Sequence, residues 1–347
     1  MMFRSNFYLA MLVSLFVLAT SNNAAAASRC DKFQPGMEFR VEDDATRGAN
    51  GLSTLKNILT YNDVINFKGV FYQINWGMLE TSPGKYDWTR LDQAFELAKS
   101  QGKHFRVRVQ DRTFQTGCNS AFIPSDILRD GSPYSSSICY AQIWESSVMT
   151  RYIALLTAIA NRYNADPYFL GIATEETALD SKLLKSRPIL TVKALYVQLK
   201  RLATAIHTAQ PQVILTQYIN WPYALNNTYL APIVSNLASW GGIGWPDTIV
   251  ANENTWSWYQ FARDNYTKML IAPSVESGSV PKTATLQDAL IEHQKIYQML
   301  NERLHANIIV WDTWNSQFEG KYFTDVVIPT VNNYRGKLNN NTCPFAS

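Results

Sequence analysis

Short runs of β-branched, aromatic and other apolar residues alternate along this chain with longer runs whose apolar positions recur every three or four residues. The first kind predicts strands and the second amphipathic helices. Eight strand candidates stand out: GMEFRV from Gly36, GVFYQIN from Gly69, HFRVRVQ from His104, YFLGIAT from Tyr168, QVILTQY from Gln212, GGIGW from Gly241, KMLIAPSV from Lys268 and NIIVW from Asn307. Between the second and third, Leu91, Phe95 and Ala98 share one helical face and Asp92, Glu96 and Lys99 another. Gly102 follows where a left-handed cap would close that helix. Further helices are predicted from about 147 to 163, from about 191 to 209 before Pro211, and from about 286 to 304. Strand and helix alternating eight times, with no linker-like Pro/Ser tract, predicts the α/β class and a single (β/α)8 TIM barrel. An open doubly wound sheet is the runner-up. It lacks its phosphate loop, because GGIGWPD from Gly241 has no third glycine and leads into no helix.

The N-terminal stretch does not fit this alternation. Arg4, the apolar run from Phe7 to Ala19 and the small residues ending near Ala27 have the layout of a secretory signal peptide. Residues 1–27 are therefore expected to be removed, leaving one domain over 28–347 in the periplasm or outside the cell. In such an oxidising compartment the four cysteines, Cys30, Cys118, Cys139 and Cys343, predict two disulfides. Of the three possible connectivities the most local joins Cys118 to Cys139 within one loop and Cys30 to Cys343 across the termini. With 46% hydrophobic, 13% aromatic and 17% charged residues the composition is that of a large globular domain. A net charge of +3 carried by scattered Lys and Arg excludes the footprint of a nucleic-acid binder.

A barrel of this kind places its chemistry at the C-terminal strand ends. The fourth strand ends in Thr174-Glu175-Glu176-Thr177, two adjacent carboxylates after an apolar run. On the seventh, Glu276 alternates with Ala272 and Ser274, so it points inward at the rim. Two carboxylates facing each other across a barrel mouth are the minimum kit for splitting a glycosidic bond: one protonated to donate to the leaving oxygen, one ionised to attack the anomeric carbon or activate water. Simple alternation sends Glu175 inward, and like charges side by side keep a proton available on one of them. Asp247 is the reserve carboxylate. Trp76, Trp221, Trp245, Trp311 and Trp314 lie at or just beyond strand ends, where indole can stack on the C–H faces of sugars. Ordinary core packing accounts for a good share of these tryptophans. In the third strand, Phe105, Val107 and Val109 can face the helices, which sends Arg106, Arg108 and Gln110 inward. Arg108, Gln110 and Asn220 are expected to bind sugar hydroxyls or hold a carboxylate ionised, Arg40, Gln73 and Asn75 occupy comparable spots, and a buried salt-bridge layer is an equal expectation for Arg106 and Arg40.

The strand-four acid, the strand-seven acid and the early segment Trp76-Gly77-Met78-Leu79-Glu80 followed by Gly84-Lys85-Tyr86-Asp87-Trp88 and Asp92 resemble the clan-A superfamily of retaining glycoside hydrolases, loosely over the whole mature chain. The resemblance implies Glu276 as nucleophile, Glu176 as acid/base with Glu175 close behind, and Trp311 as a platform under the scissile sugar. The Asn-Glu pair usual at strand four is replaced here by Thr174-Glu175-Glu176. The histidines form no H-x-H or H-E-x-x-H and no G-x-S-x-G occurs, so neither a metal hydrolase nor an esterase is expected. The expected activity is hydrolysis of a polysaccharide or oligosaccharide by a monomer without a cofactor. The competing class is a non-catalytic carbohydrate-binding barrel, distinguished by whether the acids share one open cleft.

Overall fold

The computed structural model describes residues 29–44, 50–113, 118–127, 129–130, 139–179, 188–220, 241–318 and 320–345. The predicted leader over 1–27 and Trp221 lie outside the described residues. Eight parallel strand positions run β1 (Gly36–Asp43), β2 (Phe67–Asn75), β3 (His104–Gln110), β4 (Phe169–Ala173), β5 (Ile214–Tyr218), β6 (Gly241–Gly244), β7 in two pieces (Leu270–Ile271 and Ser274–Val275) and β8 (Ile308–Trp311). Each pairs with its neighbours in chain order, the first half of β7 with β6 and the second half with β8, while β8 also pairs with β1. Both ends of the sheet are thus pieces of one strand, and the sheet closes on itself. Pro273 has no N–H to give, which interrupts β7 without parting it. Ala272 N–H still donates to Ile243 O, and Val310 N–H to Pro273 O.

Helices α1 (Gly51–Ile58), α2 (Thr89–Ser100), α3 (Ser146–Tyr163), α4 (Pro188–Ala209), α5 (Ser257–Asn265), α6 (Leu286–Gln298) and α7 (Ile328–Asn333) clothe the barrel. The predicted helices are all present, and Gly102 follows α2 with φ +65°. Alternation divides the strands, with one irregularity at β4. Phe39, Val41, Tyr72, Ile74, Val107, Ile243, Ile271 and Ile309 pack outward against the helices. Phe71, Leu170, Ala173, Ile214, Tyr218, Leu270, Ala272, Ile308 and Val310 fill the interior. Gly244 faces Tyr218, and a Cβ there would meet the ring at 2.8 Å, so the small residues of β6 make room for it.

Within the interior, Arg106 and Glu38 form a fully buried pair at 2.6 Å, and the Arg106 guanidinium lies 4.5 Å from the Phe71 ring centroid. This is the structural salt-bridge layer expected of Arg106. Below it the barrel floor is sealed by Phe33 and Phe345, meeting edge to face, beside the Cys30–Cys343 disulfide. The second disulfide, Cys118–Cys139, ties the excursion after β3, where Arg112–Thr113, Cys139–Ala141 and Arg129–Asp130 form a small antiparallel sheet. The most local connectivity is the one present.

Opening the Cys30–Cys343 bridge lengthens the free chain of the unfolded state and releases the floor. The pair Cys30→Ser/Cys343→Ser is expected to lose about 2–5 kcal/mol of unfolding free energy in a urea titration. Loss confined to the local sheet of the Cys118–Cys139 bridge would contradict this.

Candidate active site

At the C-terminal ends of the strands a cleft of about 380 Å³ is lined by Arg40 and Glu42 from β1, Gln73 from β2, Arg108 and Gln110 from β3, Glu175 and Glu176 after β4, Asn220 after β5, Asp247 after β6 and Glu276 after β7. The acids from strands four and seven therefore share one open cleft. Glu175 and Glu176 are 4% and 7% exposed. Glu276 keeps the inward register of Ala272 and Ser274, as the alternation predicts. At β4 the pairing shifts register next to Gly171, so Leu170 and Ala173 both face inward. Beyond that shift both adjacent carboxylates reach the cleft.

Arginines organise the acids. Arg40 Nη1 lies 2.6 Å from Glu276 Oε2, and its Nη2 lies 2.6 Å from Asp312 Oδ2 and 3.1 Å from Glu42 Oε1. Burial alone would lower the Arg40 pKa, but Asp312, Glu276 and Glu42 together hold it well above its ordinary value. Arg108 donates from Nε to Gln73 Oε1 at 2.7 Å and faces Glu175 at 3.4 Å and Glu276 at 3.6 Å. Its guanidinium also stands over the rings of Phe71 and Tyr218. The two acids at β4 thus meet different surroundings. Burial pushes Glu175 up against the opposing charges of Arg108 and Arg112. Glu176 is pushed up to about 7, first by burial and then by the charge of Glu175, although Arg112 and the Asn220 amide, which donates to its Oε2, favour the charged form. Glu276 differs again: Arg40 holds Oε2, while Oε1 has no hydrogen-bond partner among the described residues. Asp247, at φ +43°, is pushed up to about 6 by burial and by Glu276.

Gln110 lines the cleft and accepts from Asn75 Nδ2 at 2.7 Å. Three tryptophans do not join it. Trp76 is buried, donates to Glu80 and packs on Tyr152; Trp245 donates to Thr248 and packs on Tyr259; Trp311 is buried against Met37 and stacks on His293. Each follows the outward register of its strand, with Ile74, Ile243 and Ile309, which corrects their expected role against substrate. Trp314 is 55% exposed and lines a chamber beside the cleft. Glu42, Asp312 and Arg112 were not foreseen. Glu42 continues the inward alternation of Glu38 and Arg40, and Asp312 that of Ile308 and Val310, one step past the expected strand ends. Among the described residues, no group of three His, Cys, Asp or Glu side chains is arranged to hold a metal ion.

No protein-family model and no curated protein sequence matches the chain. Solved structures do. Endo-glycoceramidase II from Rhodococcus sp. superposes with a TM-score of 0.58 at 13% identity, over 86% of this chain and 78% of that one. A Bacteroidetes-affiliated GH5 cellulase linked with a polysaccharide utilization locus gives 0.56 at 14%, over 92% and 97%. A glycoside hydrolase family 5 enzyme from Prevotella bryantii, solved with a xyloglucan tetradecasaccharide, gives 0.51 at 13%, over 89% and 98%. At such identities the likeness establishes the architecture alone: the chain has a (β/α)8 barrel, the fold these three enzymes share.

Removing the Arg40 guanidinium would leave Asp312, Glu276 and Glu42 facing one another in a largely buried site. Arg40→Met is expected to cost about 3–5 kcal/mol. Asp312, which burial already pushes up to about 7, then takes up a proton still more readily folded than unfolded, so the loss is larger at pH 8 than at pH 5 in parallel urea melts. An equal loss at both would place the acids' charge elsewhere.

Proposed function

We propose that the chain is an exported glycoside hydrolase that cleaves a polysaccharide or oligosaccharide with retention of configuration. Its nucleophile is Glu276 and its acid/base is Glu176. The observation that carries this reading is the pair of contrasting carboxylates in one cleft. Glu176 is shielded and inclined to hold a proton near neutral pH, whereas Glu276 is ion-paired to Arg40 through Oε2, with Oε1 facing Arg108 at 3.6 Å but in no hydrogen bond among the described residues. The fold supports it, since the structural neighbours described above are glycoside hydrolases. Export is supported by the signal-like N-terminus and by the two disulfides.

The steps follow from the geometry. Asn220 donates to Glu176 Oε2, which leaves Oε1 to carry the proton that passes to the glycosidic oxygen as that bond breaks. Glu276 Oε1 forms a bond to the anomeric carbon while Arg40 fixes the other oxygen. Departure of the leaving group frees Glu176 as a carboxylate, which takes a proton from water. The water oxygen then displaces Glu276 from the sugar. Arg108, within 3.4 Å of Glu175 and 3.6 Å of Glu276, keeps any charge on Glu175 from opposing the nucleophile. Gln73, Gln110, Asn220 and Asp247 offer donors and acceptors for sugar hydroxyls.

Because the acid must be protonated to start the reaction, kcat/KM is expected to fall as pH rises through about 7. Glu176→Gln should lose roughly 10²–10⁴-fold and the alkaline limb with it, Glu175→Gln should keep the limb, and Glu276→Gln should be inactive. These profiles, measured on a glycan panel with NMR of the first anomer released, test the assignment. Unchanged activity in Glu276→Gln, or release of the inverted anomer, overturns it. A limb lost in Glu175→Gln instead moves the acid by one residue.

A further inference from the structure

The cleft opens on one side into a chamber of about 780 Å³, twice its own volume, and Glu42 and Ser277 belong to the walls of both. The chamber lies between the end of β8 and helix α1. Trp314 stands at its edge, and it is the one aromatic among the large hydrophobic side chains exposed in the described residues. Tyr61, Asn57, Thr54, Thr313 and Thr324 supply hydroxyl and amide groups around it. Among the described residues no Lys or Arg lines it, and its two carboxylates, Glu42 and Asp312, are engaged by Arg40 at the cleft end. An open indole beside uncharged donors and acceptors fits a neutral sugar ring, whose C–H face stacks while its hydroxyls are sorted. An anionic ligand would find no cation among the described residues that line it.

The sheet order decides which part of a substrate would enter. β7, which carries Glu276, adjoins β8 and stands three strands from β4, so Trp314 lies on the nucleophile's side of the cleft and Glu176 across from it. The leaving group departs beside Glu176 and Asn220. What remains attached to Glu276 continues the other way, toward β8 and α1.

We propose that the chamber beside Trp314 holds the retained portion of a neutral oligosaccharide, so that efficient cleavage needs more than one sugar on the nucleophile's side of the broken bond. This rests on the two-carboxylate reading of the cleft. Trp314 is tied to that cleft directly: its backbone N–H donates to Asp312 Oδ1, and Thr313 Oγ1 donates to Arg40 O at 2.9 Å.

Two measurements test the proposal and keep its failure apart from that of the catalytic reading. In the first, Glu276→Gln, with and without Trp314→Ala, is titrated with neutral gluco-, manno-, xylo- and galacto-tetrasaccharides and followed by calorimetry. Binding of at least one series, weakened roughly tenfold by Trp314→Ala, is expected. No binding, or binding indifferent to Trp314, overturns the chamber assignment whether or not the protein cleaves anything. In the second, enzyme with native Glu276 cleaves the same series from disaccharide to hexasaccharide, end-labelled to locate the cut. The expected result is a kcat/KM that climbs at least tenfold when a second sugar is added on the retained side, with the climb flattened in Trp314→Ala. Cleavage without that climb removes the chamber and leaves the two carboxylates standing.

Discussion

A buried cation with three acids around it is the constraint on which the upper half of the barrel depends. Arg40 is withdrawn from water, so it must be paired, and it is paired at once with Glu276, Asp312 and Glu42. Those partners arrive from β7, β8 and β1, the strands that complete the closed sheet. The ion cluster and the closure therefore require each other. The register that seals the barrel brings the acids to the arginine, and the arginine removes the repulsion that would spread those strand ends. Arg108 does similar work from β3, held by Gln73 and by the rings of Phe71 and Tyr218. Burial, and after it the surplus of acids over these two arginines in the cleft, leaves Glu176 and Asp247 inclined to hold protons.

Alternation along the strands made much of this readable from the chain alone. The eight strands and helices α2, α3, α4 and α6 follow from period-two and helical spacing, and Glu276 follows from its place two residues after Ser274. The same rule, applied strictly, also disposes of the tryptophans. Trp76, Trp245 and Trp311 each sit two residues beyond an isoleucine that faces the helices, so their position at a strand end was misleading. Trp314 lies outside any strand, and no period governs it.

Other parts were hidden for definite reasons. Glu42 and Asp312 fall one residue past the last strongly apolar position of β1 and β8, where composition alone ends a strand early but hydrogen bonding and inward register carry on. The pair at β4 could not be resolved by alternation, because the irregularity next to Gly171 is a matter of backbone pairing with β3 and leaves no mark in residue type. Arg112 was beyond reach as well, since its burial depends on a small sheet assembled from segments separated by a disulfide-bound excursion.

The floor carries a different message from the mouth. Phe33, Phe345 and the Cys30–Cys343 bridge gather the first and last described turns at the pole away from the acids. Anything appended to either extremity, whether a tag, a surface linker or a second module, would hang from the underside. An immobilised molecule gripped by its tails would therefore stand with its mouth toward the solution.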